Sequence, residues 1–128
     1  GVIAEICDRV IVMYAGNVVE KSSVQRLFKE PLHPYTKALI GAIPYAEKKR
    51  KKRLTTIPGA VPNLINPPSG CRFHPRCRYA MDVCRNLKPL LFEEKPEHWA
   101  ACFLYSRNRE LGQSQGGNFD PLESRITY

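Results

Sequence analysis

The sequence predicts an α+β chain in which a short hairpin and short helices lead into an irregular lobe rich in proline and cysteine and stapled by a metal. Three observations carry this expectation. A β-branched run, Val10 to Met13, is followed by turn residues Ala15-Gly16-Asn17 and a second extended run from Val18. Two apolar patterns at helical spacing then end at Pro31 and Pro44. Finally, the stretch from Gly70 to Cys102 (GCRFHPRCRYAMDVCRNLKPLLFEEKPEHWAAC) holds four of the five cysteines, two of the three histidines and the only tryptophan.

At 128 residues the chain has the length of one domain, with a modest core for its size. Its net charge of +8 comes in part from one run, Glu47 to Arg53 (EKKRKKR), so it describes a patch more than a whole surface. No stretch approaches the roughly 20 apolar residues of a membrane helix, and no signal-peptide pattern is present. The expectation is a cytosolic chain with reduced thiols, for which metal ligation precedes a disulfide framework. Because the sequence opens on Gly1 and enters directly on an apolar pattern, we expect a piece of a longer protein.

Taken in order, Val2, Ile3 and Ile6 share one face at helical spacing, and Cys7 in that helix reads as a small buried hydrophobe. Residues 10 to 21 read as a hairpin. Ser22 and Gln25 fit a capping box that opens a helix through Val24, Leu27 and Phe28, and Pro31 ends it. Pro34 suits the first turn of a next helix through Tyr35, Ala38, Leu39 and Ala42 to Ile43, closed by Pro44. His33 reads as a cap or a surface side chain. No nucleophile or carboxylate is evident beside it in sequence, so no catalytic residue is assigned.

Lys48 to Arg53 reads as a solvated linker, with anionic lipid or nucleic acid as the sharper alternative. Pro58, Pro62, Pro67 and Pro68 make the following stretch an extended arm. Phe103-Leu104-Tyr105 reads as the end of a strand, and Arg107 to Tyr128 as a polar tail, either disordered or lying along the domain.

Cys71, Cys77, Cys84 and Cys102 are expected to converge on one centre. Their spacing, C-x5-C-x6-C-x17-C, lacks the short knuckle that usually draws four sulfurs onto one zinc at about 2.3 Å. Wider loops suit the larger footprint of an iron–sulfur cluster, so spacing leans that way by a little. Zinc, and thiols that are free or oxidised, remain alternatives. Arg72, Arg76, Arg78 and Arg85 stand ready to offset the charge of the thiolates, and His74 and His98 to donate hydrogen bonds from behind them. Phe73, Tyr79, Met81, Trp99 and Phe103 would form an apolar wall.

Three blocks together resemble one family. VIAEICDRVIVMYAGNVVE at residues 2 to 20 looks like the stretch just past the switch histidine of ABC-transporter ATPase subunits, where a strand pair completes the nucleotide-binding fold. PLHPYTKALIGAIP at residues 31 to 44 is similar to the His-Pro-Tyr region of oligopeptide and dipeptide importers. GCRFHPRC, Cys84 and HWAAC resemble the cysteine-rich C-terminal extension of that subgroup. The resemblance implies that residues 1–46 end a nucleotide-binding domain, 47–54 are a basic linker, 55–105 a cysteine-rich lobe and 106–128 a tail. It further implies a 4Fe-4S cluster on Cys71, Cys77, Cys84 and Cys102. ATP and magnesium would belong to the full-length subunit only, since this chain has no phosphate-binding G-x-x-x-x-G-K-[ST] loop and no acidic Walker B end. The implied partners are a second ATPase subunit or another copy of this one, and membrane permease subunits, with the protein peripheral on the inner face of the cell membrane. No direct small-molecule substrate is expected. The runner-up function is a basic, metal-stabilised nucleic-acid-binding module, and a redox enzyme is more distant.

Overall fold

The computed structural model describes residues 8–42, 59 and 63–116. The expected first helix with Cys7, the basic run and half of the proline arm lie outside them. Strands β1 (Arg9–Tyr14) and β2 (Asn17–Ser23) form the expected hairpin. Ala15 at φ 49° and Gly16 at φ 83° make the reversal, and two positive φ values give the turn a twist that matches the flanking strands. The register slips between Val12 and Met13, which leaves Val19 as an extra residue on β2. Its carbonyl accepts a hydrogen bond from Ala101 N at 2.9 Å.

Helix α1 (Val24–Lys29) starts one residue later than the capping box implied. Ser22 is buried inside the ladder opposite Val10, and Ser23, the last residue of β2, caps, its hydroxyl accepting from Arg26 N at 3.3 Å. Helix α2 (Pro34–Gly41) has Pro34 at its start and His33 as its cap, Nδ1 accepting from Tyr35 N at 3.0 Å. His33 is a cap but not a surface residue: only 1% of it is exposed. Ile43 and Pro44 lie outside the described residues.

The C-terminal half is more regular than its composition implied. After a 3-10 turn at His74–Arg76 come α3 (Asp82–Asn86), β3 (Phe92–Lys95), β4 (His98–Ala100) and α4 (Ser106–Ser114). The strand expected at Phe103 to Tyr105 is a turn; the ladder ends at Ala100, and the chain bends away to start α4. Of the residues expected in a polar tail, disordered or lying along the domain, those from Arg107 to Ser114 are helical, and Glu94 from β3 accepts the orphan N–H groups of Arg107 and Asn108 at 2.9 and 3.1 Å.

The sheet order is β1-β2-β4-β3, all antiparallel, with Glu20 opposite Ala100 and Lys21 opposite Trp99. Strands from either side of the basic run therefore share one sheet. One core cluster gathers Val12, Tyr14, Val19, Leu27 and Phe73, and a second gathers Met81, Val83, Cys84, Phe103 and Leu104. Cys71 packs against both. The lobe is thus held by strand pairing and these two clusters.

Candidate functional site

The loop that carries Cys71 and Cys77 is fixed by its own backbone. Gly70 sits at φ 67°, and a Cβ there would lie 2.4 Å from the carbonyl oxygen of Cys84. Only glycine lets the two backbones approach so closely, which places Cys71 N 2.8 Å from Cys84 O and so joins the first and third cysteines of the series. Cys84 lies in α3, and Cys102 follows β4 directly.

These elements bring Cys71, Cys77, Cys84 and Cys102 to the wall of one cavity of about 20 Å³. The rest of the lining is apolar or aromatic, with Phe73, Tyr79, Met81, Phe103 and Leu104 among it, and no carboxylate. Four of the five expected wall residues are present. Trp99 is not: its ring faces Lys21 and Arg9, whose charged ends stand 4.9 and 5.8 Å from the ring centre.

Burial is the chief reason that the Cys71 thiol is pushed up to about 11, and the nearby Cys84 adds to it. Cys102 is raised well above the ordinary range, again by burial first, with Cys71, Cys77 and Cys84 contributing as neighbouring like charges. The four sulfurs therefore sense one another. Two already accept backbone hydrogen bonds, Cys77 Sγ from Tyr79 N at 3.4 Å and Cys84 Sγ from Met81 N at 3.5 Å. Among the described residues, no group of three or more His, Cys, Asp or Glu side chains is arranged to hold a single metal ion.

The expected helpers divide. His74 Nδ1 lies 2.6 Å from the Cys71 carbonyl oxygen and borders the cavity. His98 is elsewhere, paired through Nε2 with Glu20 Oε2 at 2.5 Å. Arg72 and Arg76 reach back to the hairpin, to the Ala15 carbonyl and to the Tyr14 hydroxyl. Arg78 lies over the Tyr79 ring, and Arg85 pairs with Asp82 at 2.9 Å on an exposed face.

Sequence reasoning missed the residue that joins the two halves. Glu20 is 0% exposed, and its carboxylate accepts from Leu32 N at 2.9 Å and His33 N at 2.8 Å as well as meeting His98. It thereby fixes the start of the His-Pro-Tyr segment, and His33 and Pro34 form one side of the cysteine cavity. Tyr105 donates to the Leu32 carbonyl and ties the same segment to the end of the lobe. A lone acid directly after Val18-Val19, inside the second strand of the hairpin, was the available signal, since a charged side chain in an inward register position needs a partner.

Residues 19–84 match the family model described as oligopeptide/dipeptide transporter, C-terminal region. The chain is 52% identical over 103 residues to a probable peptide ABC transporter ATP-binding protein of Sinorhizobium fredii, covering 80% of this chain and 31% of the relative. It is 49% identical over 110 residues to a dipeptide transport ATP-binding protein of Caldanaerobacter subterraneus, covering 86% and 33%. An oligopeptide transport ATP-binding protein of Bacillus subtilis is 50% identical over 105 residues, covering 82% and 32%. The chain thus spans about a third of the length of the curated relatives it matches. The family match runs from the hairpin through the His-Pro-Tyr segment to Cys84 and takes in over half of the sequence, so the chain belongs to the family of oligopeptide/dipeptide transporter C-terminal regions.

Proposed function

We propose that the chain acts as the C-terminal, assembly-related portion of the ATP-binding subunit of an importer for oligopeptides or dipeptides, and that Cys71, Cys77, Cys84 and Cys102 hold a structural 4Fe-4S cluster. ATP binding and hydrolysis would belong to the larger subunit. Its partners would be a second ATP-binding subunit or another copy, and membrane permease subunits. Among the described residues no helix is long and apolar enough to cross a membrane, which is compatible with a peripheral place on the inner face of the membrane.

The observation that carries the cofactor reading is the meeting of four thiols from three separate segments at one apolar cavity. The donor set fits: four sulfurs, a dry wall, and backbone N–H groups already directed at two of them. A single zinc is the lesser alternative on spacing, because its sulfurs must close to a tight tetrahedron and C-x5-C-x6-C-x17-C has no short knuckle. The cavity itself has room for about one water, so a four-iron core would need the thiols to turn outward. When bound, the cluster would supply cross-linking of the three segments. The chain's own residues supply the wall, the N–H donors and the fixed approach at Gly70.

Visible absorption of anaerobically purified protein, with iron and zinc analysis, tests this reading. The expected result is a broad visible absorption and about four irons per chain, lost in a Cys84→Ser variant. Stoichiometric zinc, or neither metal, would overturn it.

A further inference from the structure

A second cavity, of about 180 Å³, adjoins the cysteine cavity and shares His33, Cys71 and Phe73 with it. Its three sides are held firmly. The hairpin turn is tied to Arg72 through the Ala15 carbonyl. The Cys71 loop is fixed at Gly70. The segment from Lys88 to Leu91 is pinned from behind by Asn108, which accepts from Leu90 N at 2.8 Å and donates to Leu90 O at 2.9 Å. A cavity preformed in this way loses little order when it is filled.

Its chemistry is one-sided. Arg72 and Lys88 both line it, and no carboxylate does. Among the described residues Lys88 has no ion-pair partner, and Arg72 makes only the bond to Ala15. His33 also borders the cavity, its Nδ1 accepting from Tyr35 N at 3.0 Å. The remaining lining, including Val19 and Leu91, is largely apolar.

We propose that this cavity binds a small amphiphilic monocarboxylate, with the carboxylate held by Arg72 and Lys88, and a short apolar body against Val19 and Leu91. The guanidinium fork suits a carboxylate in the plane of its donors. The volume is below that of cavities for drug-sized ligands, so the body is limited to a few carbon atoms.

The test is a titration of the full chain, purified anaerobically, with hexanoate, followed by the methyl resonances of Val18, Val19, Leu90 and Leu91. Hexanol and inorganic phosphate serve as comparison probes. We expect saturable shifts with hexanoate, none with hexanol at the same concentrations, and a dissociation constant raised about tenfold or more in Lys88→Ala. Lys88 is exposed, so that variant keeps the fold. Equal shifts with hexanol would reduce the site to an apolar crevice and overturn the proposal. So would an unchanged constant in Lys88→Ala, the absence of saturation, or phosphate binding more tightly than hexanoate. Loss of iron in these samples would strike the cluster reading alone, since the methyl shifts are read independently of it.

Discussion

Acid should act on this fold through His33. The ring is buried against Phe73, with centroids 5.7 Å apart, and its pKa is lowered to about 3 by burial first and by Lys37 second. The sign follows from proton counting: below the ordinary value of 6.5 the unfolded chain takes up a proton that the folded chain refuses, so stability falls as pH falls from 6.5 towards 3. At pH 5 the loss from this one group is about 2 kcal/mol. Protonation would also place hydrogen on Nδ1, which then cannot accept from Tyr35 N, so the α2 cap is lost in the same event. Urea unfolding at pH 7.5 and pH 5, for the parent chain and for His33→Asn, measures it. Asparagine can still cap but does not titrate, and with typical urea slopes the parent midpoint should fall by about 1 M more than that of the variant. Equal losses in the two chains would refute the assignment of this acid sensitivity to His33.

Glu20→Ala should cost about 3–5 kcal/mol, because it strands the N–H groups of Leu32 and His33 and the His98 ring in a buried site; a thermal-unfolding loss below 1 kcal/mol would contradict the network. Asn108→Ala removes both hydrogen bonds to Leu90 and those to Glu94 and the Ala100 carbonyl, and should cost about 2–3 kcal/mol while exposing the amide of Leu90 to hydrogen exchange. Cys77→Ser should loosen the hairpin as well as the lobe, since Cys77 packs against the cluster of Val12, Tyr14 and Val19; hydrogen exchange confined to residues 63–105 would count against this. In metal-free protein, Cys71 should stay a thiol until pH nears 11, and its contribution to stability should fade as pH rises from 9 towards 11, because the unfolded thiol ionises first. Alkylation at pH 8 should therefore be much slower than for an ordinary thiol; a rate equal to that of the unfolded chain would refute the burial.

Local chemistry made the hairpin and the two α1 and α2 starts legible. Ala15-Gly16 and Pro34 act through backbone dihedrals that need no tertiary partner, and the error at Ser22 was one residue because either serine can cap in isolation. The four cysteines were expected to converge on one metal centre; they meet at the wall of one cavity, aided by the close approach at Gly70 that joins Cys71 to Cys84, and the centre itself stands as a proposal. What sequence could not show was pairing at a distance. Strand β4 is three residues long and has no pattern of its own; it exists because the bulge at Val19 frees a carbonyl for Ala101 N and sets Glu20 opposite Ala100.

That pairing also explains why the acidic and amide residues were missed. Glu20 and Asn108 read as ordinary polar positions until the sheet closes, and each then becomes the inward partner of backbone groups from another segment. Glu20 serves the loop before α2, Asn108 serves the segment before β3, and the two cavities lie on those supported walls. Glu20 and Asn108 thus hold walls without facing either cavity, whereas the thiols and Lys88 face the cavities and Arg72 does both. A substitution in the first set should shift the geometry of a cavity, whereas one in the second should change its chemistry with the walls intact. Gly70→Ala separates these cases most sharply. Its Cβ would meet a backbone oxygen at 2.4 Å in a conformation already unfavourable to alanine, so the Cys71–Cys84 contact must open although no thiol has been removed.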